Sequence, residues 1–156
     1  MAISPKLKTF LDKEKISYEV LHHSSAFTAQ EVAGAQHVPG KQAIKSVIVK
    51  ADGKFVMVVL PAIHMLDLKK FKESTHAKEA VLATEGDIAK LFPDYEVGAE
   101  PPFGQLYGLD VYADQDLDPN LSVIFNAGTH TDTVRIKYAD YLRVVKPKVV
   151  KVGKHI

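Results

Sequence analysis

The stretch Ala43-Ile44-Lys45-Ser46-Val47-Ile48-Val49-Lys50-Ala51-Asp52-Gly53-Lys54-Phe55-Val56-Met57-Val58-Val59-Leu60 holds two β-branched runs on either side of an Asp-Gly pair. Asp-Gly supplies the positive backbone angles of a two-residue hairpin turn, so the stretch predicts two antiparallel strands. Pro61 ends the second strand. Lys45 stands inside the first apolar run, where burying an ammonium without a partner is expensive.

Upstream, Ser4-Pro5 is an N-cap followed by proline at the first helical position, and Leu7, Phe10, Leu11 and Ile16 follow at near-helical spacing. A helix to about Lys15 is expected. Tyr18 to His22 alternates like a short strand. Thr28-Ala29-Gln30-Glu31 has the form of a capping box and opens a helix ending near Gly34, and His37-Val38-Pro39-Gly40 is a turn.

Downstream, Asp67 caps a short helix through Phe71, and Ala80 to Ala83 reads as a brief strand. Thr84-Glu85-Gly86-Asp87 starts a helix that runs to Phe92 and stops at Pro93. Strand patterns follow at Leu109–Tyr112, Leu121–Phe125 and Thr133–Lys137, and Tyr138 to Val145 closes as a helix before Pro147. The tail from Lys146 to Lys154 is the most basic stretch and reads as a solvated edge strand or frayed end. These elements make an α/β (α+β) class with one mixed sheet of about six or seven strands, as a single domain over residues 1–156. Helices and strands do not alternate strictly, so a doubly wound nucleotide-binding sheet is not expected.

With 156 residues, 46% of them hydrophobic, the chain is long enough to bury roughly 68–70% of its unfolded surface. The absence of cysteine removes disulfides, thiol nucleophiles and cysteine-based metal sites. No signal peptide or membrane span is apparent, so a soluble cytoplasmic protein without membrane contact is the expectation. A net charge of +1 is too small for a protein that coats duplex nucleic acid, so any such contact should be local. Phosphate-loop, dinucleotide, HExxH and nucleophile-elbow motifs are missing. The seven histidines lack metal-ligand spacing: His22 and His23 point to opposite faces of a strand, while His37, His64 and His76 stand alone among loops and caps. His64 reads as a helper of the turn before Asp67.

Three segments remain after these exclusions: His37 to Val47, which contains Lys45; Gly98-Ala99-Glu100-Pro101-Pro102-Phe103-Gly104; and Phe125-Asn126-Ala127-Gly128-Thr129-His130-Thr131-Asp132-Thr133-Val134-Arg135. Two prolines between two glycines make a stiff turn that a ligand can approach closely. With the lysine they outline a cleft for an anionic or ester-bearing ligand. Each segment also has a plainer reading. Lys45 can reach solvent along its stem from an edge strand, Gly98 to Gly104 can be a rigid surface turn, and His130 can bond local backbone.

In this order and spacing the segments resemble the YbaK family of aminoacyl-tRNA deacylases, free-standing relatives of the editing insertion domain of bacterial prolyl-tRNA synthetase. The likeness covers nearly the whole chain, including Phe27-Thr28-Ala29-Gln30-Glu31 and Pro61-Ala62-Ile63-His64. It implies a compact mixed α/β fold and hydrolysis of the ester between a wrong amino acid and the terminal ribose of tRNA. Lys45 matches the family's functional lysine, and Gly98 and Pro102 match its Gly-x-x-x-Pro loop, which Phe103 and Gly104 continue. Gly128 and His130 match a Gly-x-His element that lines the amino-acid pocket, with Thr129 between them. Thr28 opens a helix that flanks the pocket. The attacker is water or the neighbouring ribose hydroxyl, oriented by backbone groups of the glycine–proline loop, and no metal or organic cofactor is implied. The partner is the acceptor end of a tRNA carrying alanine, serine, cysteine or threonine, with tRNA(Pro) among the candidates and a synthetase as a further candidate partner. Ser46 and Glu100-Pro101 stand where relatives vary, which leaves the amino acid open; the oligomeric state is open too. Two other readings use the same cleft: a non-catalytic aminoacyl- or nucleotide-binding module, and a hydrolase of another small aminoacyl ester.

Overall fold

The computed structural model describes residues 4–22 and 42–155, the last of them in its backbone only. The expected helix from Thr28, the turn at His37–Gly40 and Thr28 itself lie outside the described residues.

The hairpin forms as its turn chemistry requires. β2 (Ile44–Ala51) pairs antiparallel with β3 (Lys54–Pro61), and Asp52 and Gly53 both take positive φ, 49° and 84°. On β2's far side lies β5 (Ala80–Leu82), antiparallel to it. On β3's far side run β6 (Asp110–Asp114) and then β9 (Lys148–Val150), both parallel. A second sheet has β8 (Asp132–Lys137) between β1 (Glu19–His22) and β7 (Ser122–Asn126), all antiparallel. β4 (His64–Leu66) pairs with β10 (Gly153–His155). The mixed α/β class therefore stands, with the described strands shared among three sheets and not gathered in one of six or seven. A parallel bridge between Ala43 and Ile124 joins the start of β2 to β7.

The larger core lies where these sheets face each other. Ile44, Ile48, Met57, Val59, Val111 and Ala113 meet Val123, Phe125, Val134 and Ile136, and each fully buried large side chain stabilises by roughly 1.5–3 kcal/mol. α1 (Pro5–Lys13) adds Leu7 and Leu11, one helical turn apart; it ends short of the expected Lys15, whose φ is 56°. The opposite face of β2 and β3 presents Val49, Val56, Val58 and Leu60 to Phe71 of α2 (Leu68–Thr75). Asp67 caps that helix by accepting the Lys69 and Lys70 amides. α3 (Glu85–Leu91) starts with a reciprocal Thr84–Asp87 box, and α4 (Tyr138–Val145) fills the expected closing helix.

The tail is not frayed. β9 forms the edge of its sheet beside β6 with Lys148 and Val149 exposed, which is the edge-strand reading; beyond it Val152 is fully buried and β10 pairs with β4, which that reading did not include. His64, read from sequence as isolated and as a helper of the Asp67 turn, instead hydrogen-bonds the buried Asp114 carboxylate at 3.1 Å. Its role is to tie β4 to the end of β6, a pairing of residues 50 apart in sequence that local spacing cannot reveal.

Candidate active site

Strand alternation sets where Lys45 points. Ile44 and Ile48 enter the larger core, so Lys45 lies on the other face with Val47 and Val49, opposite Leu60. The Ala43–Ile124 bridge brings the start of β2 beside β7. Asn126, two residues beyond Ile124, sits opposite Thr133 on β8. Asn126 and Thr133, with Lys45 two residues beyond Ala43 on β2, make a polar row at this end of the three strands.

That row is unsatisfied. Lys45 is half-buried and makes no ion pair or hydrogen bond among the described residues, and burial pushes its ammonium below the ordinary lysine pKa. Asn126 Oδ1 and Thr133 Oγ1 are buried without hydrogen-bond partners among the described residues. Buried polar atoms nearly always find partners, so a row of unpartnered ones marks a place where a ligand supplies them.

The two loops named from sequence meet at this end of β7. The Gly128 amide donates to the Ala99 carbonyl at 3.0 Å, and the Glu96 amide donates to the Gly128 carbonyl at 2.8 Å. The His130 amide donates to Glu96 Oε1 at 2.6 Å, and its ring Nε2 donates to the Val97 carbonyl at 2.9 Å. His130, 9% exposed, therefore clamps the glycine–proline loop with both backbone and ring. Gly128 has φ +101° and lies against the Tyr95 ring, where a Cβ would fall 2.7 Å from Cδ1. Gly98 has φ +90° and leaves ordinary contact room beside His130.

This clamp decides which backbone groups the loop can offer. The Gly98 amide donates to Glu100 Oε1 at 2.8 Å and the Ala99 amide to the Glu96 carbonyl at 3.0 Å. Pro101 and Pro102 have no amide hydrogen. The Gly98 and Glu100 carbonyls accept nothing among the described residues. The loop thus offers acceptors. It can orient a hydroxyl, a water or an ammonium, while its Gly98 and Ala99 amides are engaged within the loop.

Glu100 was not singled out as a site residue from sequence. It is 5% exposed, and burial pushes its carboxyl above the usual glutamate range although the Gly98 amide and its own amide pull the other way. A raised folded pKa means that ionisation costs stability, so Glu100 favours the fold most below its ordinary pKa of 4.5. That contribution is lost as pH rises through the higher folded value. Replacing Glu100 by glutamine keeps an acceptor for Gly98 and removes the charge. The stability of Glu100→Gln relative to the native chain should therefore increase as pH climbs from 4.5 toward neutrality. Denaturant midpoints across that range check it; a difference that does not change with pH overturns the assignment.

Other expected substrate contacts change role. Phe103, 1% exposed, packs against Phe10, Phe125 and Tyr141. A Cβ at Gly104 would meet Val111 Cγ2 at 2.9 Å. Both support the loop from the core side. Pro102 is held by its carbonyl, which accepts the Tyr141 hydroxyl at 2.6 Å. Thr129 organises the second loop: its hydroxyl donates to the buried Asp132 carboxylate at 2.7 Å and accepts the Asp132 amide at 3.1 Å. Burial works against the Asp132 charge, yet the Thr129 hydroxyl and the His22 ring outweigh it and hold the carboxyl low. Glu96, Asn126, Thr133 and Tyr141 were missed from sequence, because each acts on a residue distant along the chain. Among the described residues the metal-ligating side chains that cluster are His64, Asp114 and Asp116, and these belong to the junction of β4 and β6 and to neither loop.

Comparison with known proteins places these loops in a family. The model of the aminoacyl-tRNA editing domain matches residues 23–144. The chain is 30% identical over 125 residues to a proline–tRNA ligase of Bacillus subtilis, an alignment that takes in 76% of this chain and 21% of the ligase. It therefore spans about a fifth of that relative's length. It is 28% identical over 150 residues to the multifunctional Ser/Thr-tRNA deacylase ProXp-y of Escherichia coli K12, covering 93% of this chain and 89% of that protein. A crystal structure of a candidate trans-editing enzyme for prolyl tRNA synthetase superposes with a TM-score of 0.80 at 22% identity, over 98% of this chain and 99% of the other. At that identity the likeness speaks for the fold.

Proposed function

The chain belongs to the aminoacyl-tRNA editing domain family, and from that membership we propose that it hydrolyses the ester joining a small, wrongly attached amino acid to the terminal ribose of tRNA. The observation that carries the reading is the half-buried Lys45 ammonium near the β2–β7 bridge, without a partner among the described residues, together with two buried oxygens on β7 and β8 that likewise find none among them.

An aminoacyl ester is already activated and needs no serine or cysteine nucleophile. What it needs is an attacking oxygen held in line and a charge for the carbonyl oxygen as it becomes negative. The Gly98 and Glu100 carbonyls accept a hydrogen bond from the attacking water or the neighbouring ribose hydroxyl and so orient its oxygen; the proton released on attack ends on the departing ribose oxygen. Lys45 supplies the positive charge, a task the Gly98 and Ala99 amides do not share because they are engaged within the loop. Asn126 and Thr133 offer hydrogen bonds to the polar groups of the aminoacyl ribose. The need for such an enzyme follows from magnitudes: a synthetase pocket gains only about 1–3 kcal/mol per methylene, so small wrong amino acids slip in and a second sieve is required.

A panel of tRNAs mischarged with alanine, serine, cysteine or threonine tests the proposal. The expected result is deacylation of at least one above the rate of spontaneous hydrolysis. If every ester survives at enzyme concentrations in excess of tRNA, the cleft binds without catalysing. Gly98 gives a second test. Because an added Cβ meets only the His130 ring edge at 3.4 Å, Gly98→Ala costs mainly the positive φ, about 1–3 kcal/mol. Relief of that strain turns the Gly98 carbonyl away, so kcat should fall at least tenfold in protein that remains folded. A kcat within twofold of native would show that this carbonyl orients nothing.

A further inference from the structure

Beyond the reactive row, β8 continues with cations on the same face. Thr133, Arg135 and Lys137 alternate with the buried Val134 and Ile136, so all three share one face and advance about 6.6–6.8 Å per step. Arg135 lies opposite Ile124 on β7 and Glu19 on β1, and Lys137 lies opposite Ser122. Two cavities line this path. One of about 270 Å³ is walled by Tyr18, Glu19, Arg135 and Lys137. The other, about 280 Å³, is walled by Gln42, Ser122, Ile124 and Arg135. Both include Ser122 and Arg135, so they adjoin as one groove on the part of β7 and β8 that lies along the strands from Asn126 and Thr133.

The cations in the groove are loosely engaged. Arg135 makes a single ion pair, to Glu19 Oε2 at 3.7 Å, with the two side chains 37% and 59% exposed. Exposed pairs of that length contribute little to stability. Lys137 makes no ion pair or hydrogen bond among the described residues. The rest of the lining mixes polar groups, from Ser17, Ser122 and Gln42, with the Tyr18 ring and the side chains of Ile124 and Ile136.

We propose that this groove binds the ribose–phosphate backbone of the RNA strand that carries the ester, with Arg135 and Lys137 on successive phosphates; the assignment rests on the hydrolase reading above. An arginine fork suits phosphate oxygens, and two cations in an otherwise near-neutral chain give a local contact with one strand end. Glu19 is the one carboxylate in the lining and opposes this binding.

The experiment compares two substrates with the full-length chain: an aminoacyl-tRNA, and the corresponding aminoacyl-adenosine, which has no phosphate. In the double variant Arg135→Ala/Lys137→Ala, KM for the tRNA should rise at least tenfold with kcat within twofold, and aminoacyl-adenosine kinetics should not change. The salt slope of tRNA affinity should fall by about 1.4, at about 0.7 per phosphate contact on a single strand. Glu19→Gln should lower KM for the tRNA two- to threefold. Equal losses on both substrates, or an unchanged KM for the tRNA, overturn the proposal. If the native chain hydrolyses neither substrate, the hydrolase reading fails separately. Fluorescence anisotropy with uncharged tRNA then tests the groove alone: weaker binding by the double variant supports it and equal binding overturns it.

Discussion

Lys45→Ala is expected to slow single-turnover deacylation by about two to three orders of magnitude while leaving the fold intact. Losing a donor aimed at a developing oxyanion costs roughly 2.7–4 kcal/mol. The Gly98 and Ala99 amides are committed to Glu100 and to the Glu96 carbonyl. Stability should move the other way. Burial lowers the Lys45 pKa, so the folded chain disfavours its charged form, and removing the ammonium should leave Tm unchanged or raised near neutral pH. The native chain recovers that deficit as pH rises from the lowered folded pKa to the ordinary 10.5. Activity should fail over the same alkaline range, below 10.5, because the neutral amine carries no charge for the oxyanion. Lys45→Arg should not restore the rate, since a planar guanidinium fills a half-buried ammonium site poorly. Single-turnover rates and melting curves on the same preparations check all of this. Near-native turnover in Lys45→Ala, or a fall in Tm matching the loss of rate, would return Lys45 to the role of a packed edge lysine.

Gly128→Ala carries the largest expected loss of stability. Its φ of +101° is available to glycine and strained for alanine, and the new methyl would stand 2.7 Å from Tyr95 Cδ1. The ring cannot retreat easily, because Tyr95 stacks on Phe92 and meets Tyr107 edge-on. Backbone strain of about 1–3 kcal/mol and overpacking of similar size combine to about 3 kcal/mol. For a chain of this length that is a drop of roughly 6–12 °C in Tm. The same change pushes apart the Gly128–Ala99 and Glu96–Gly128 hydrogen bonds, so deacylation should fall at temperatures where the protein is still folded. Gly128→Ala/Tyr95→Ala separates the two causes. Removing the ring relieves the clash and leaves the strain, so the glycine substitution should cost less in the Tyr95→Ala background than in the native chain. An equal cost in both backgrounds would show that the ring is not what excludes a side chain at this position.

Much of this fold is local chemistry and was therefore legible. Asp52-Gly53 specified its hairpin, Asp67 and Thr84 their helix starts, and Pro93 a stop. The tail's edge strand was legible, but its pairing partners, β6 and β4, were not, because they lie at a distance along the chain. The core-side packing of Phe103 and Gly104 was hidden for a related reason: adjacency to a functional loop does not say which side of the backbone faces the core.

By itself the sequence determined the mixed α/β class, the strand that carries Lys45, and the two loops where glycine is needed, because turn chemistry and side-chain alternation act over a few residues. The tertiary structure decided the use of those parts. A bridge at Ala43 and Ile124 brought the strand of Lys45 to the strand of Asn126, with Thr133 opposite it, and Glu96 and His130 clamped the loop while Glu100 took the Gly98 amide. Neighbours of that kind are set by which strands lie side by side, and the pairing of β2 with β7 joins residues about eighty apart.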